Sequence, residues 1–347
     1  MIKKILRYLG SDIAIDLGTA NTIVYLKGKG VVLNEPSMVA LALDKGGWKK
    51  VVAVGHDAKT MEGKTPGQIN VIRPMKDGVI ADFIATEQMI KSFIKKVNEK
   101  KRFLSLPPTI VICVPCDSTQ VERRAIKDSA LAAGAKRVEI IEEAMAAAIG
   151  AGLPVSKPNA SMVVDIGGGT TEVGVISLGG LVHAKSIKIA GDKIDEIILT
   201  YIKFKHGLLI GEPTAEDIKK KIGSAHPSTD EGDMTIRGRN VSEGLPREII
   251  ITSKEIREAL KETLDKIVET IKLVFDKTEP ELSADLFENG LTLTGGGALL
   301  KGLDILIKEK TGLKVTVADE PLLCVAKGCG IALDYLNNNK IFFLRIE

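Results

Sequence analysis

The sequence contains one local pattern twice: an apolar strand ending in aspartate, a glycine turn, and a second apolar run. The first copy is Ile13-Ala14-Ile15-Asp16-Leu17-Gly18-Thr19-Ala20-Asn21, continuing into Thr22 to Leu26. The second is Met162-Val163-Val164-Asp165-Ile166-Gly167-Gly168-Gly169-Thr170-Thr171, continuing into Val173 to Ile176. Such a chain folds into two similar halves, each opening on a hairpin. Glycine lets backbone N–H groups approach an anion without a Cβ in the way, and consecutive N–H groups make an anion-binding concavity. The aspartate at each strand end places a carboxylate where a nucleotide-bound divalent cation needs an oxygen ligand. Two such hairpins face to face would clamp a polyphosphate, so the expectation is a nucleotide in a cleft between two halves.

With 347 residues, each half can bury its own core. The 48 basic and 45 acidic residues leave a net charge of +3, too balanced to make nucleic acid the main partner. No apolar run approaches the ~18 residues of a membrane span, and no signal-peptide segment follows the N-terminal charges. The expected location is cytoplasmic. Cys113-Val114-Pro115-Cys116 and the pair Cys324 and Cys329 could suggest zinc or redox chemistry, but none of the four histidines is spaced as a ligand. Free buried or half-buried thiols are expected instead.

Residues 2–9 alternate Ile2, Ile5, Leu6 and Leu9 with Lys3, Lys4 and Arg7, a short basic amphipathic segment suited to an anionic membrane interface. Phe103 and Leu104 sit beside Lys100, Lys101 and Arg102 in a loop that could insert into the same surface. Gly63-Lys64-Thr65 ends like a P-loop, but Ala58 stands where the first glycine belongs, so that reading fails. A helix is expected over 82–100 and another over Ser118 to Gly134, in which Arg123 and Arg124 form a solvated or subunit-facing stripe. After a strand at Val138 to Ile141, the alanine-rich segment from Glu142 opens a closely packed helix with two acids in its first turn. In the second half, Gly191-Asp192 opens a helix, and Thr214 with Asp217 reads as a capping box for a helix over 214–222. Turn-rich residues 226–247 precede a long amphipathic helix from Ser253 to Lys277. Leu291 to Leu300 then reads as strand, glycine turn and helix, a third point of ligand approach.

Taken together, these blocks resemble the actin/Hsp70/sugar-kinase superfamily, and within it the bacterial MreB family. The resemblance rests on Asp16-Leu-Gly-Thr-Ala-Asn, Asn34-Glu-Pro-Ser, Arg73-Pro-Met-Lys-Asp-Gly-Val-Ile-Ala-Asp, Val121-Glu-Arg-Arg-Ala-Ile, Asp165-Ile-Gly-Gly-Gly-Thr-Thr-Glu and Leu293-Thr-Gly-Gly-Gly-Ala-Leu-Leu. It runs from Asp12 to about Leu336 and leaves Asn337 to Glu347 without a family pattern. It implies an α/β, actin-like (ribonuclease H-like) duplicated fold. Subdomain IA would comprise 1–33, 78–149 and 319–347, IB 34–77, IIA 150–184 and 249–318, and IIB 185–248, arranged around a nucleotide cleft.

The resemblance further implies ATP and Mg²⁺ as cofactors and a slow ATPase that polymerises into paired protofilaments. These would lie on the inner face of the plasma membrane with the membrane-embedded cell-wall elongation proteins and maintain rod shape. By the same resemblance Gly18, Thr19, Ala20 and Asn21 form the first phosphate loop, and Gly167, Gly168, Gly169 and Thr170 the second. Asp16 and Asp165 hold Mg²⁺ through water. Glu143 positions the attacking water with Thr170. Glu216 and Lys219 take the adenosine side, and Gly296 and Gly297 the late glycine turn. Two departures stand out: Ala144 replaces the family's proline after Glu143, which bears on hydrolysis rate, and Lys221 stands where glutamate is usual. The alternative reading is a small-molecule kinase or phosphatase of the same fold, for which no extra aspartate-centred base motif is found. An Hsp70-type chaperone would need a peptide-binding domain where this chain ends.

Overall fold

The computed structural model describes residues 12–43, 49–99 and 107–336. Segments 2–9, 100–106 (with Phe103 and Leu104) and 337–347 lie outside the described residues. The chain divides into two compact units. The first joins Met1–Pro158, Ile176–Leu181 and Leu322–Glu347; the second joins Asn159–Val175 and Val182–Pro321.

The duplicated pattern becomes a duplicated sheet. In the first, strand Ile13–Leu17 is central, with Asn21–Leu26 and then Gly30–Pro36 on one side, and Thr109–Val114 and then Arg137–Glu142 on the other. The hairpin strands are antiparallel and the two crossover strands parallel to the first. The second sheet repeats this order with Ser161–Ile166 at its centre: Thr171–Ser177 and Gly180–Ile187 on one side, Leu291–Thr294 and Val315–Val317 on the other. Both central strands are almost wholly buried, as parallel strands covered on both faces must be. Ile13, Ile15, Val24, Ile110, Ile112 and Phe93 build the first core. Met162, Val164, Ile194, Ile198, Ile218, Leu260 and Ile267 build the second.

Small three-stranded sheets decorate each unit: Val39–Leu43 between Lys49–Val54 and Ile69–Ile72 in the first, and Leu208–Leu209, Asp233–Asn240 and Pro246–Thr252 in the second. The turn-rich stretch after residue 226 therefore resolves into a hairpin, paired from Asp233 with Thr252 to Arg239 with Pro246.

Several local expectations are corrected. The helix expected to start at Thr214 begins at Glu212 and is capped by Gly211 without a side-chain cap, because Pro213 is best placed in a first helical turn. Glu142 closes the preceding strand, so Glu143 is the one acid in the first turn of helix Glu143–Gly150. The late glycine turn leads into a 3-10 segment, Gly296–Leu299, and the α-helix waits until Leu303. Of the pair expected in a solvated or subunit-facing stripe, Arg124 is exposed, whereas Arg123 is half-buried and donates to the Ser118 hydroxyl at 3.0 Å and the Cys116 carbonyl at 3.3 Å, beside a capping box of Thr119 and Glu122.

One contact fixes the helix that carries Glu143. Helix Glu143–Gly150 packs backbone to backbone against helix Cys324–Tyr335, where a Cβ on Gly150 would overlap the Cys324 carbonyl and one on Gly328 the Ala146 carbonyl. Neither clash involves a flexible side chain that could yield. Gly150→Ala or Gly328→Ala should therefore destabilise the protein by about 2 kcal/mol or more, read as a lower denaturant midpoint. An unchanged midpoint would refute this packing.

Candidate functional site

In the first unit the turn after Asp16 is tied down from three directions. A Cβ on Gly18 would lie 2.6 Å from the Asn21 carbonyl, so the hairpin closes this tightly only with glycine. Ser37 donates to the Gly18 carbonyl at 2.6 Å and is itself 2.9 Å from the Thr22 hydroxyl; its amide donates to the Ala20 carbonyl. The Asn34-Glu35-Pro36-Ser37 block thus has a physical reading. Asn34 accepts from the Asn21 amide group at 2.8 Å, Glu35 accepts from Lys96 at 2.7 Å, and Ser37 holds the turn.

Buried Thr19 accepts the Gly78 amide at 3.1 Å, which keeps its hydroxyl proton available to donate. Gly78 sits in the two-residue turn Asp77-Gly78, where both residues have positive φ, between strands Met75–Lys76 and Val79–Ile80. That is the hairpin turn Asp-Gly favours.

Asp16 is half-buried and accepts from the Cys113 thiol at 3.5 Å. Hydrogen bonding to Cys329, then burial, then the nearby acids Asp16 and Glu143 push the Cys113 thiol well up, so it stays protonated. Glu143, 9% exposed, belongs to the same cluster. Cys113, Cys324 and Cys329 are buried and Cys116 is half-buried, and none of the four is in a disulfide. No group of three or more potential metal-ligating side chains occurs among the described residues.

In the second unit Asp165 ends the central strand, 5% exposed, and accepts from the Thr294 hydroxyl at 2.7 Å. Burial raises its carboxyl to about 6; the Thr294 bond opposes the shift and the charge of buried Glu172 adds to it. The Gly167 amide donates to the Thr170 carbonyl at 2.9 Å and closes the turn. The Gly167 and Gly168 carbonyls accept from the amides of Gly191 and Asp192 at 3.1 and 2.8 Å. The first amides of helix Gly191–His206 are thus spent on the loop. Thr171 donates to the Ile189 carbonyl at 2.6 Å, fixing the far side of the turn.

Gly295 has φ +78°, and side chains on it or on Gly297 would overlap Ile166, so the third glycine turn packs directly on the end of the Asp165 strand. Lys219 bonds Asp195 and the Gly191 carbonyl, and Glu216 pairs with Lys220 four residues on. Asp195, Thr294, Gly191, Ser37 and Gly78 were not singled out as site residues in the sequence. Each is an ordinary polar or small residue whose role depends on a partner far away in the chain.

These features decide the relationship. A family model described as MreB/Mbl protein matches residues 10–341. The chain belongs to the MreB/Mbl family. It is 55% identical to the cell shape-determining protein MreB of Escherichia coli strain K12 over 338 residues, 97% of each chain. Among solved structures it resembles MreB 5 of Spiroplasma citri bound to AMPPNP, with TM-score 0.88, 38% identity and coverage of 95% of this chain and 98% of that one. The MamK double helical filament subunit shares the fold at 21% identity, with TM-score 0.78 and coverage of 94% and 99%. The fold is actin-like.

The raised Asp165 carboxyl sets a pH dependence. Between an ordinary carboxylate value and about 6 the folded state binds more protons than the unfolded one, so stability falls as pH rises through that window. An isosteric Asp165→Asn accepts the Thr294 bond without the buried charge. In nucleotide-free protein it should raise the thermal midpoint at pH 7.5, by an equivalent of roughly 2–3 kcal/mol, with the gain vanishing near pH ~4. Equal midpoints at pH 7.5 would count against a destabilised buried anion.

Proposed function

We propose that the chain is an ATP-binding, slowly ATP-hydrolysing cytoskeletal protein. It polymerises into paired, membrane-associated actin-like filaments and organises cell-wall synthesis to maintain rod shape. The observation that carries this reading is the 55% identity, over nearly the whole of both chains, with a cell shape-determining protein. An AMPPNP-bound relative of the same family supports the choice of nucleotide. The reading includes four subdomains, with IB spanning 34–77 and IIB 185–248.

Gly18, Thr19, Ala20 and Asn21 form one phosphate loop, and Gly167, Gly168, Gly169 and Thr170 a second. Backbone amides serve here because phosphoryl transfer needs positioning and charge stabilisation more than covalent chemistry. Glu216 and Lys219 take the adenosine, with Gly296 and Gly297 beside it. Asp16 and Asp165 are hard oxygen donors suited to Mg²⁺, and burial leaves Asp165 with a carboxyl near 6 that a neighbouring cation would favour ionising. Mg²⁺, when bound, supplies charge neutralisation for the phosphates. Glu143, held on its rigid helix, orients the attacking water with Thr170. Ala144, fully buried, starts that helix without the fixed φ of a proline.

Residues 2–9 with Phe103 and Leu104 anchor the filament to the inner face of the plasma membrane. No helix among the described residues is long and apolar enough to cross a membrane. Each anchor alone binds weakly, and polymerisation multiplies it.

Electron microscopy of the purified protein on an anionic lipid monolayer tests the reading. Paired filaments should appear with ATP-Mg²⁺ and not with ADP or without nucleotide. Dispersed particles in every condition, with nucleotide binding confirmed, would instead indicate a monomeric ATPase. Glu143→Ala should keep ATP affinity within about threefold while phosphate release slows on the order of 10²-fold. Lost binding would make Glu143 structural. Deleting residues 2–9 together with Phe103→Ser and Leu104→Ser should abolish liposome co-flotation while leaving assembly in solution intact, and unchanged flotation would rule these anchors out.

A further inference from the structure

Lys219 does more than face a ligand. From helix Glu212–Ile222 its ammonium donates to Asp195 Oδ2 at 2.7 Å and to the Gly191 carbonyl at 3.1 Å, with the two side chains 18% and 15% exposed. Asp195 lies one turn into the helix that Gly191 opens. Burial pushes the Asp195 carboxyl up and Lys219 pulls it back down, so the pair depends on its own geometry. Two of the three ammonium protons are committed here, leaving one for another acceptor.

The contact reaches the second phosphate loop through the backbone. Gly191 and Asp192 amides hold the carbonyls of Gly167 and Gly168. Among the described residues no peptide bond is cis, so the N–H that follows each of these carbonyls points the opposite way in the same plane. Fixing the Gly167 and Gly168 carbonyls therefore aims the amides of Gly168 and Gly169 away from the helix start. The fit is close: a Cβ on Gly191 would sit 3.3 Å from the Gly167 carbonyl and 3.4 Å from Lys219 Nζ.

We propose that Asp195 is a positioning residue for phosphate binding: through Lys219 it fixes the Gly191-Asp192 turn and thereby the direction of the second loop's amides. The inference rests on the nucleotide reading above and adds to it that the adenosine-side lysine and the phosphate loop form one mechanical unit.

The test uses the full chain with Asp195→Ala, Asp195→Asn and Asp195→Glu. Binding of ATP-Mg²⁺ and of AMP is measured by calorimetry, and hydrogen exchange is followed at the Gly191 and Asp192 amides. Asp195→Ala should weaken ATP-Mg²⁺ about tenfold, the scale of one lost charge-assisted bond, and weaken AMP by clearly less. Asp195→Asn, isosteric and the fallback should the alanine variant fail to fold, should fall between, and Asp195→Glu should recover to within threefold. Exchange at both amides should accelerate in the alanine and asparagine variants without nucleotide. Equal losses for ATP and AMP would assign Asp195 to the nucleoside end and overturn the proposal, as would unchanged exchange. Failure of the unmodified protein to bind ATP would sink the nucleotide reading instead, while the exchange measurement still decides whether Asp195 governs the turn.

Discussion

Putting a carboxylate at the end of a fully buried strand is costly, and much of the surrounding architecture follows from accommodating it. Asp165 cannot face bulk water, so it takes a hydroxyl from Thr294 on the neighbouring strand and retains a proton more readily than a surface acid. The glycines at 167–169 and at 295–297 let the backbone crowd around that strand end, where any side chain on Gly295 or Gly297 would strike Ile166. In the other unit Asp16 has its own donor, Cys113, and a turn closed by Gly18 and Ser37. The same arrangement is reached with different helpers, as expected when two copies of one plan have drifted apart in sequence while retaining the strand–turn–strand geometry.

The turns spend their backbone groups asymmetrically. In the second loop carbonyls point back into the protein, to Gly191 and Asp192, and amide to carbonyl closure runs from Gly167 to Thr170. A loop whose acceptors are consumed internally presents a donor-rich face, which is the electrostatic requirement for an anion site. In the first unit the same economy appears in the Ser37 bond to the Gly18 carbonyl.

The duplicated hairpin, the buried central strands and the long helices were legible in the sequence because periodicity and glycine placement are local properties. The helix ending near Lys277 was readable from its apolar spacing and closes at Asp276. Boundaries shifted where a single residue outweighed the pattern, as Pro213 did for the helix misread at Thr214. The long-range partners were not legible. Nothing near Thr294 announces Asp165, and nothing near Asp195 announces Lys219, which the fold brings from another helix to 2.7 Å. Arg123 shows the reverse: a charge expected in a solvated or subunit-facing stripe is folded back on its own helix start.

The glycine-to-backbone crossing of helices Glu143–Gly150 and Cys324–Tyr335 has a consequence for motion. Most helix pairs slide past each other on a layer of side chains that can change rotamer, and this is how shear movements accumulate. Here main chain meets main chain at Gly150 and Gly328, and no rotamer can absorb a slip. The pair travels as a single girder, with Glu143 riding at one end. Deformation of this unit must therefore be taken up in its turns and small sheet, leaving this helix crossing as the fixed frame.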